Sequence, residues 1–157
     1  MSKQQSKLIP EKIHLTNVHI FKASLETSKG FLDSPVKVQS FSVDVGHEIA
    51  HNFDDGKSRI RLFITVDGLD TGKGHPIGLK VDYGIEFHFH IENFQDFIHS
   101  TESEGTKIAL ELGATLLGLA FSTSRGIVLE RTQGTYFEGV ILPVIDPIKM
   151  LLNGSKA

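Results

Sequence analysis

Residues 77–91 read Ile77-Gly-Leu-Lys-Val-Asp-Tyr-Gly-Ile-Glu-Phe-His-Phe-His-Ile91, and every odd position in the run is apolar or aromatic. Unbroken alternation is the period of an extended chain, so the segment predicts one long strand. The even positions Gly78, Lys80, Asp82, Gly84, Glu86, His88 and His90 are too polar for a second core. The sheet therefore has one face on a hydrophobic layer and one face toward water.

Just upstream, Arg59 to Val66 repeats the alternation with Ile60, Leu62, Ile64 and Val66 facing inward. The turn-rich Asp67–Pro76 stretch joins it to the long strand as an antiparallel pair. Val36 and Val38 share one parity while Phe41, Val43 and Val45 share the other, which predicts a bulge near Gln39 and Ser40. Val18 to Leu25 slips in the same way. Four strands with short polar connections predict an antiparallel meander without helical crossovers.

Beyond Glu104 the period lengthens: Ile108, Leu112, Leu116, Leu119, Thr123 and Ile127 recur as on one helix face, predicting a helix over about 106–132. Gly113, Gly118 and Gly126 interrupt it. Each costs about 1 kcal/mol relative to Ala, which suits close approach to a neighbour, and the reading favours helix-on-sheet packing over a helix–helix dimer seam. Asp146 before Pro147, then Ile148 to Leu152 and Gly154, has the cap, first-turn proline and stop of a short terminal helix. The fold class is α+β: a four-stranded antiparallel sheet, a long helix and a short C-terminal helix.

The 157 residues are 39% hydrophobic and 22% charged, the balance of an ordinary globular domain of one core. The expectation is a single domain over 1–157, frayed at 1–10 and 153–157. A formal charge of −3 from 16 basic and 19 acidic residues offers no field for nucleic acid or anionic lipid. The absence of cysteine removes disulfides and thiolate zinc sites and suits a reducing cytoplasm. The longest weakly apolar run, Gly113 to Phe121, is shorter than the roughly 18 residues of a membrane span, and Met1 to Lys7 is polar, so no membrane insertion is expected.

His47-Glu48-Ile49-Ala50-His51 matches the pattern in which two histidines one helical turn apart hold zinc beside a general base. That chemistry needs a substantial helix, yet Gly46 precedes the match and Asn52-Phe53-Asp54-Asp55-Gly56 follows it. Downstream, only His75 or Glu86 is offered as a third ligand. The expected structure is a polar loop, with a zinc peptidase as the minority alternative. His88 and His90, flanked by Glu86 and Glu92, read as a solvated strand face rather than a metal site. Ser122 and Ser124 lie on the long helix without a nucleophile elbow. The Gly68–Gly74 stretch reads as a hairpin turn, because no helix N-terminus follows it to cradle phosphate. No catalytic residue, metal or cofactor is expected.

In order, these segments resemble the SecB family of protein-export chaperones over about Ile13 to Leu151. Gly134-Thr135-Tyr136-Phe137-Glu138-Gly139-Val140-Ile141-Leu142-Pro143-Val144 is similar to the family's Gly- and Pro-spaced stretch after its long helix. Arg59 to Val66 resembles its third strand, and Leu79 to Gly84 the start of its fourth. The resemblance implies an oligomer, dimer or dimer of dimers, that holds unfolded or precursor polypeptides in apolar grooves between a crossover loop and the terminal helix. Phe31, Leu32, Phe41, Phe137, Val140, Met150 and Leu151 are the candidate groove residues, with core packing the competing role for each and the favoured one for Phe41 and Val140, which sit in apolar strand patterns. Phe31, in a Gly- and Ser-bounded polar loop, is the leading candidate, so Phe31→Ala is expected to weaken client holding with little change in melting temperature.

The crossover segment Thr27–Pro35 lacks the tryptophan of the family, and the chain ends Asn153-Gly-Ser-Lys-Ala157 without the family's acidic tail. Lys22 and Lys80 stand where the family carries acidic residues that dock the SecA motor, and opposite charge disfavours such docking. Client holding therefore transfers better than SecA coupling. The alternatives are a dedicated chaperone of one partner, such as an antitoxin, or a structural oligomer without clients.

Overall fold

A computed structural model describes residues 7–70 and 74–154. Of the expected frayed ends, residues 1–6 and 155–157 lie outside the described residues, as does the tip of the glycine-rich turn, 71–73. The elements are β1 (Ile13–Thr27), α1 (Lys29–Asp33), β2 (Ser40–Asn52), β3 (Lys57–Leu69), β4 (Pro76–Ile91), β5 (Ile98–Thr101), β6 (Gly105–Ile108), α2 (Leu110–Arg131) and α3 (Pro147–Leu152), with 3-10 turns at Pro10–Lys12 and Phe94–Phe97.

Four strands form one antiparallel sheet, but in the order β1-β4-β3-β2. Only β2, β3 and β4 form the expected meander; β1 pairs with β4, so the chain crosses from one edge of the sheet to the other. The connection, residues 28–39, is long enough for this, since crossing three strand spacings of about 4.8 Å needs roughly 14 Å. Within it, Ser28 accepts a hydrogen bond from the Phe31 amide at 3.2 Å and caps α1. The Ser28 amide donates to the Gly78 carbonyl at 2.7 Å. Gly78 has φ +90°, and any Cβ there would collide with the Ser28 hydroxyl, so the crossover is seated on a glycine that no larger residue replaces without strain.

The β2–β3 register is unbroken from Ser40 to Asn52. The parity change near Gln39 marks the start of the strand, not the expected bulge. In β1 the register does shift, between Ile20 and Lys22, as the Val18–Leu25 pattern implied. The bulged Phe21 ring lies over Gly84 and meets Phe63 edge-on with centroids 5.8 Å apart, so the polar face carries a phenylalanine pair. Elsewhere that face holds the ion pairs Arg61 Nε to Glu86 at 2.6 Å and Lys22 to Asp82 at 2.6 Å, and a 2.6 Å hydrogen bond between His88 and Glu86. The Arg61 and His88 hydrogen bonds hold the Glu86 carboxyl below its ordinary range.

On the other face, Ile60, Leu62, Ile64 and Val66 of β3 and Leu79, Val81, Tyr83, Ile85, Phe87, Phe89 and Ile91 of β4 are buried. Being central, these strands have neighbours on both sides. Helix α2 covers them with Leu112, Leu116, Leu117, Ala120, Phe121 and Val128. It begins later than the expected residue 106 because Gly105–Ile108 pairs with Ile98–Thr101 as a small hairpin. The helix is long and apolar enough to cross a membrane by length and composition, yet its buried side chains belong to the same core as the sheet. Its glycines answer to a third partner. A Cβ on Gly113 would lie 3.3 Å from Leu151, and one on Gly118 would lie 3.4 Å from Pro147, whereas nothing approaches Gly126. Two of the three thus admit α3 and its approach. Asp146 caps α3 as expected, accepting from the Ile148 and Lys149 amides at 3.0 and 3.3 Å.

Candidate apolar clefts between the second strand and the terminal helix

Strand β2 is an edge strand, and its inward parity is Phe41, Val43, Val45, His47, Ile49 and His51. Val43, Val45 and Ile49 are only partly covered, whereas their partners Val66, Ile64 and Ile60 on β3 are fully buried. The difference arises because α2 covers the central strands, while β2 is reached by the short α3 with its flanking loop and, at the His51 end, by the segment around Ile108.

Two open clefts result. One, about 290 Å³, lies between Val43, Val45 and His47 of β2 and Pro143, Ile145, Met150 and Asn153 opposite. The other, about 320 Å³, is bounded by Ile49, His51, Phe53, Ile108, Leu110 and Leu151. Met150 and Leu151, adjacent on α3, thus wall different clefts. Together the clefts run the length of β2, each large enough to take a side chain or short segment at the lower end of ligand-site sizes.

Of the seven candidate groove residues, four lie at open surface: Leu32 is 52% exposed, and Phe41, Met150 and Leu151 are half-buried. The other three are buried. Phe31 is only 4% exposed, its ring edge-on to Tyr136 with centroids 5.1 Å apart. Phe137 is buried under Phe41, with centroids 6.1 Å apart, and Val140 is buried beside the sheet. The crossover folds α1 onto the core instead of leaving it in solvent. The clefts instead use Val43, Val45, Ile49, Phe53, Ile108, Leu110 and Ile145. One signal was present: the apolar parity of β2 includes His47 and His51, one in the wall of each cleft.

The His47–His51 segment is neither helix nor loop but part of β2. Four residues along a strand span about 13 Å, so the two rings cannot share one zinc ion. Glu48 projects from the opposite face, 3.5 Å from Arg61. Among the described residues no group of three His, Asp or Glu is placed to hold a metal. His51 Nδ1 shares a 2.7 Å hydrogen bond with Ser58 Oγ, and its ring lies against Phe53 and Phe94.

Burial holds both His47 and His51 below the ordinary histidine value of 6.5. Between that value and their lowered ones the unfolded chain binds more protons than the folded chain, so stability falls as pH falls through this window and is level above it. Thermal unfolding is expected to show a lower melting temperature at pH 5.5 than at pH 7.5, and His47→Leu should shrink the difference. The Glu86 contribution is lost only as pH falls through that carboxyl's lowered value, below its ordinary 4.5, so the two windows are separable.

No protein-family model and no curated protein matches the sequence. A solved structure does match in shape: the Mycobacterium tuberculosis Rv1957 SecB-like chaperone in complex with a ChAD peptide from the Rv1956 HigA1 antitoxin. The TM-score is 0.57 with 11% sequence identity, covering 86% of this chain and 91% of that chain. At this identity the likeness is one of fold: a four-stranded antiparallel sheet carrying a long helix and a short terminal helix, as in a SecB-like chaperone.

Proposed function

We propose that this chain is a SecB-like chaperone, without catalytic activity or cofactor, that holds non-native polypeptide in the two clefts between β2 and α3. The observation that carries the reading is the half-covered inner face of Val43, Val45 and Ile49 beside fully buried β3 partners. Burying a client's Leu, Phe or Met side chain in a cleft contributes about 1.5–3 kcal/mol. Ordering the client opposes this, so holding is weak and reversible.

A dedicated client fits better than general export. The neighbour of like fold is complexed with a peptide from an antitoxin, and Lys22, paired with Asp82, and Lys80 stand where the family resemblance would put the acidic residues that dock SecA. Self-association belongs to the same reading. Leu119 and Leu129 of α2 and Ile148 and Leu152 of α3 are exposed apolar side chains that a second copy in a dimer or tetramer would cover.

The test is solution mass with and without a reduced, unfolded client, followed by pull-down. A multimer that gains the mass of the client supports the reading, and a single captured species supports the dedicated form. An unchanged mass at client concentrations up to about 100 µM, weak for apolar burial of this size, would rule the reading out.

A further inference from the structure

The two clefts differ in how their histidines are partnered. His51 already shares its hydrogen bond with Ser58. His47 is 5% exposed and makes no hydrogen bond among the described residues, so its ring nitrogens are served only by the water that still reaches them. The cleft it lines is otherwise walled by Val43, Val45, Pro143, Ile145 and Met150, with Asn153 its one other polar side chain and no charged one; Asn153 makes no side-chain hydrogen bond to His47. A client side chain that is purely hydrocarbon would seal this ring from water and leave its nitrogens unpaired, and an unmade buried hydrogen bond is costly. The cleft beside His51 imposes no such demand.

Resting on the client-holding reading, we propose that the two clefts select different client side chains. The Ile49–Leu151 cleft takes a plain apolar residue, and the Val45–Met150 cleft takes a tyrosine whose hydroxyl pairs with His47. A phenol suits both halves of that cleft, since its ring meets the Val and Met walls and its hydroxyl donates or accepts as the imidazole tautomer requires. His47 is then a specificity-determining residue. The histidines are four positions apart on one strand face, about 13 Å, so an extended client reaches both clefts with residues i and i+4.

Four labelled peptides, identical except for Phe or Tyr at positions i and i+4, test this by fluorescence anisotropy at pH 7.5. The expected result is that replacing Phe by Tyr at one of the two positions, and not at the other, tightens binding about 3- to 10-fold, the range of one net hydrogen bond. His47→Leu should abolish that preference, His47→Gln should retain part of it, and His51→Leu should leave it unchanged. Binding of all four peptides within about twofold, or a preference that survives His47→Leu, would overturn the inference while leaving client holding intact. If none of the four binds, the client-holding reading falls first and the inference with it.

Discussion

Phe31→Ala should lower stability by about 3 kcal/mol and the melting temperature by roughly 10 °C, the scale of a large-to-small change in the core of a domain this size. The ring is buried against Tyr136, and α1, which carries it, is held by the Ser28 cap and the Ser28–Gly78 hydrogen bond. Removing the ring leaves a cavity that this short, anchored segment cannot collapse to fill. This is the opposite of what the polar surroundings of Phe31 suggest. Leu32 is the control, because at 52% exposure its change to Ala should cost well under 1 kcal/mol. Differential scanning calorimetry of both variants decides the matter: equal melting temperatures would place Phe31 outside the core.

Leu151→Asp should reduce client holding at least 30-fold while leaving the protein folded. Leu151 walls the cleft beside Ile49, and a carboxylate there would lose its water whenever a client side chain seats, at a cost of several kcal/mol. The free protein tolerates the change better, since Leu151 is half-buried and the carboxylate can hydrate through the open cleft. The Asp146 cap and Pro147 still start α3. Suppression of aggregation of a slow-folding client, read beside the melting temperature, tests this. Undiminished holding would remove the clefts as the client site.

The paired alternation of Ile60–Val66 and Leu79–Ile91 was legible because β3 and β4 are central strands with one wholly dry face, where burial alone dictates residue type. The Asp146-Pro147 start of α3 was legible because a cap is a local event. His47–His51 was not: its residue spacing fits a helix, and only pairing with β3 spreads it along a strand. Met150 and Leu151 were legible as apolar residues of the terminal helix, but their placement in two different clefts was not, and Phe41 packs on Phe137 and lines neither.

Local sequence, then, determined the two central strands and the polarity of their faces, most of the long helix and its capped successor, because period and capping act over a few neighbouring residues. Tertiary structure alone decided that β1 pairs with β4, that Phe31 turns inward and that β2 is left with an open inner face. Those outcomes depend on which edge the 28–39 connection reaches and how far α2 and α3 extend over the sheet, and contacts between residues so distant in the chain leave no periodic trace in it.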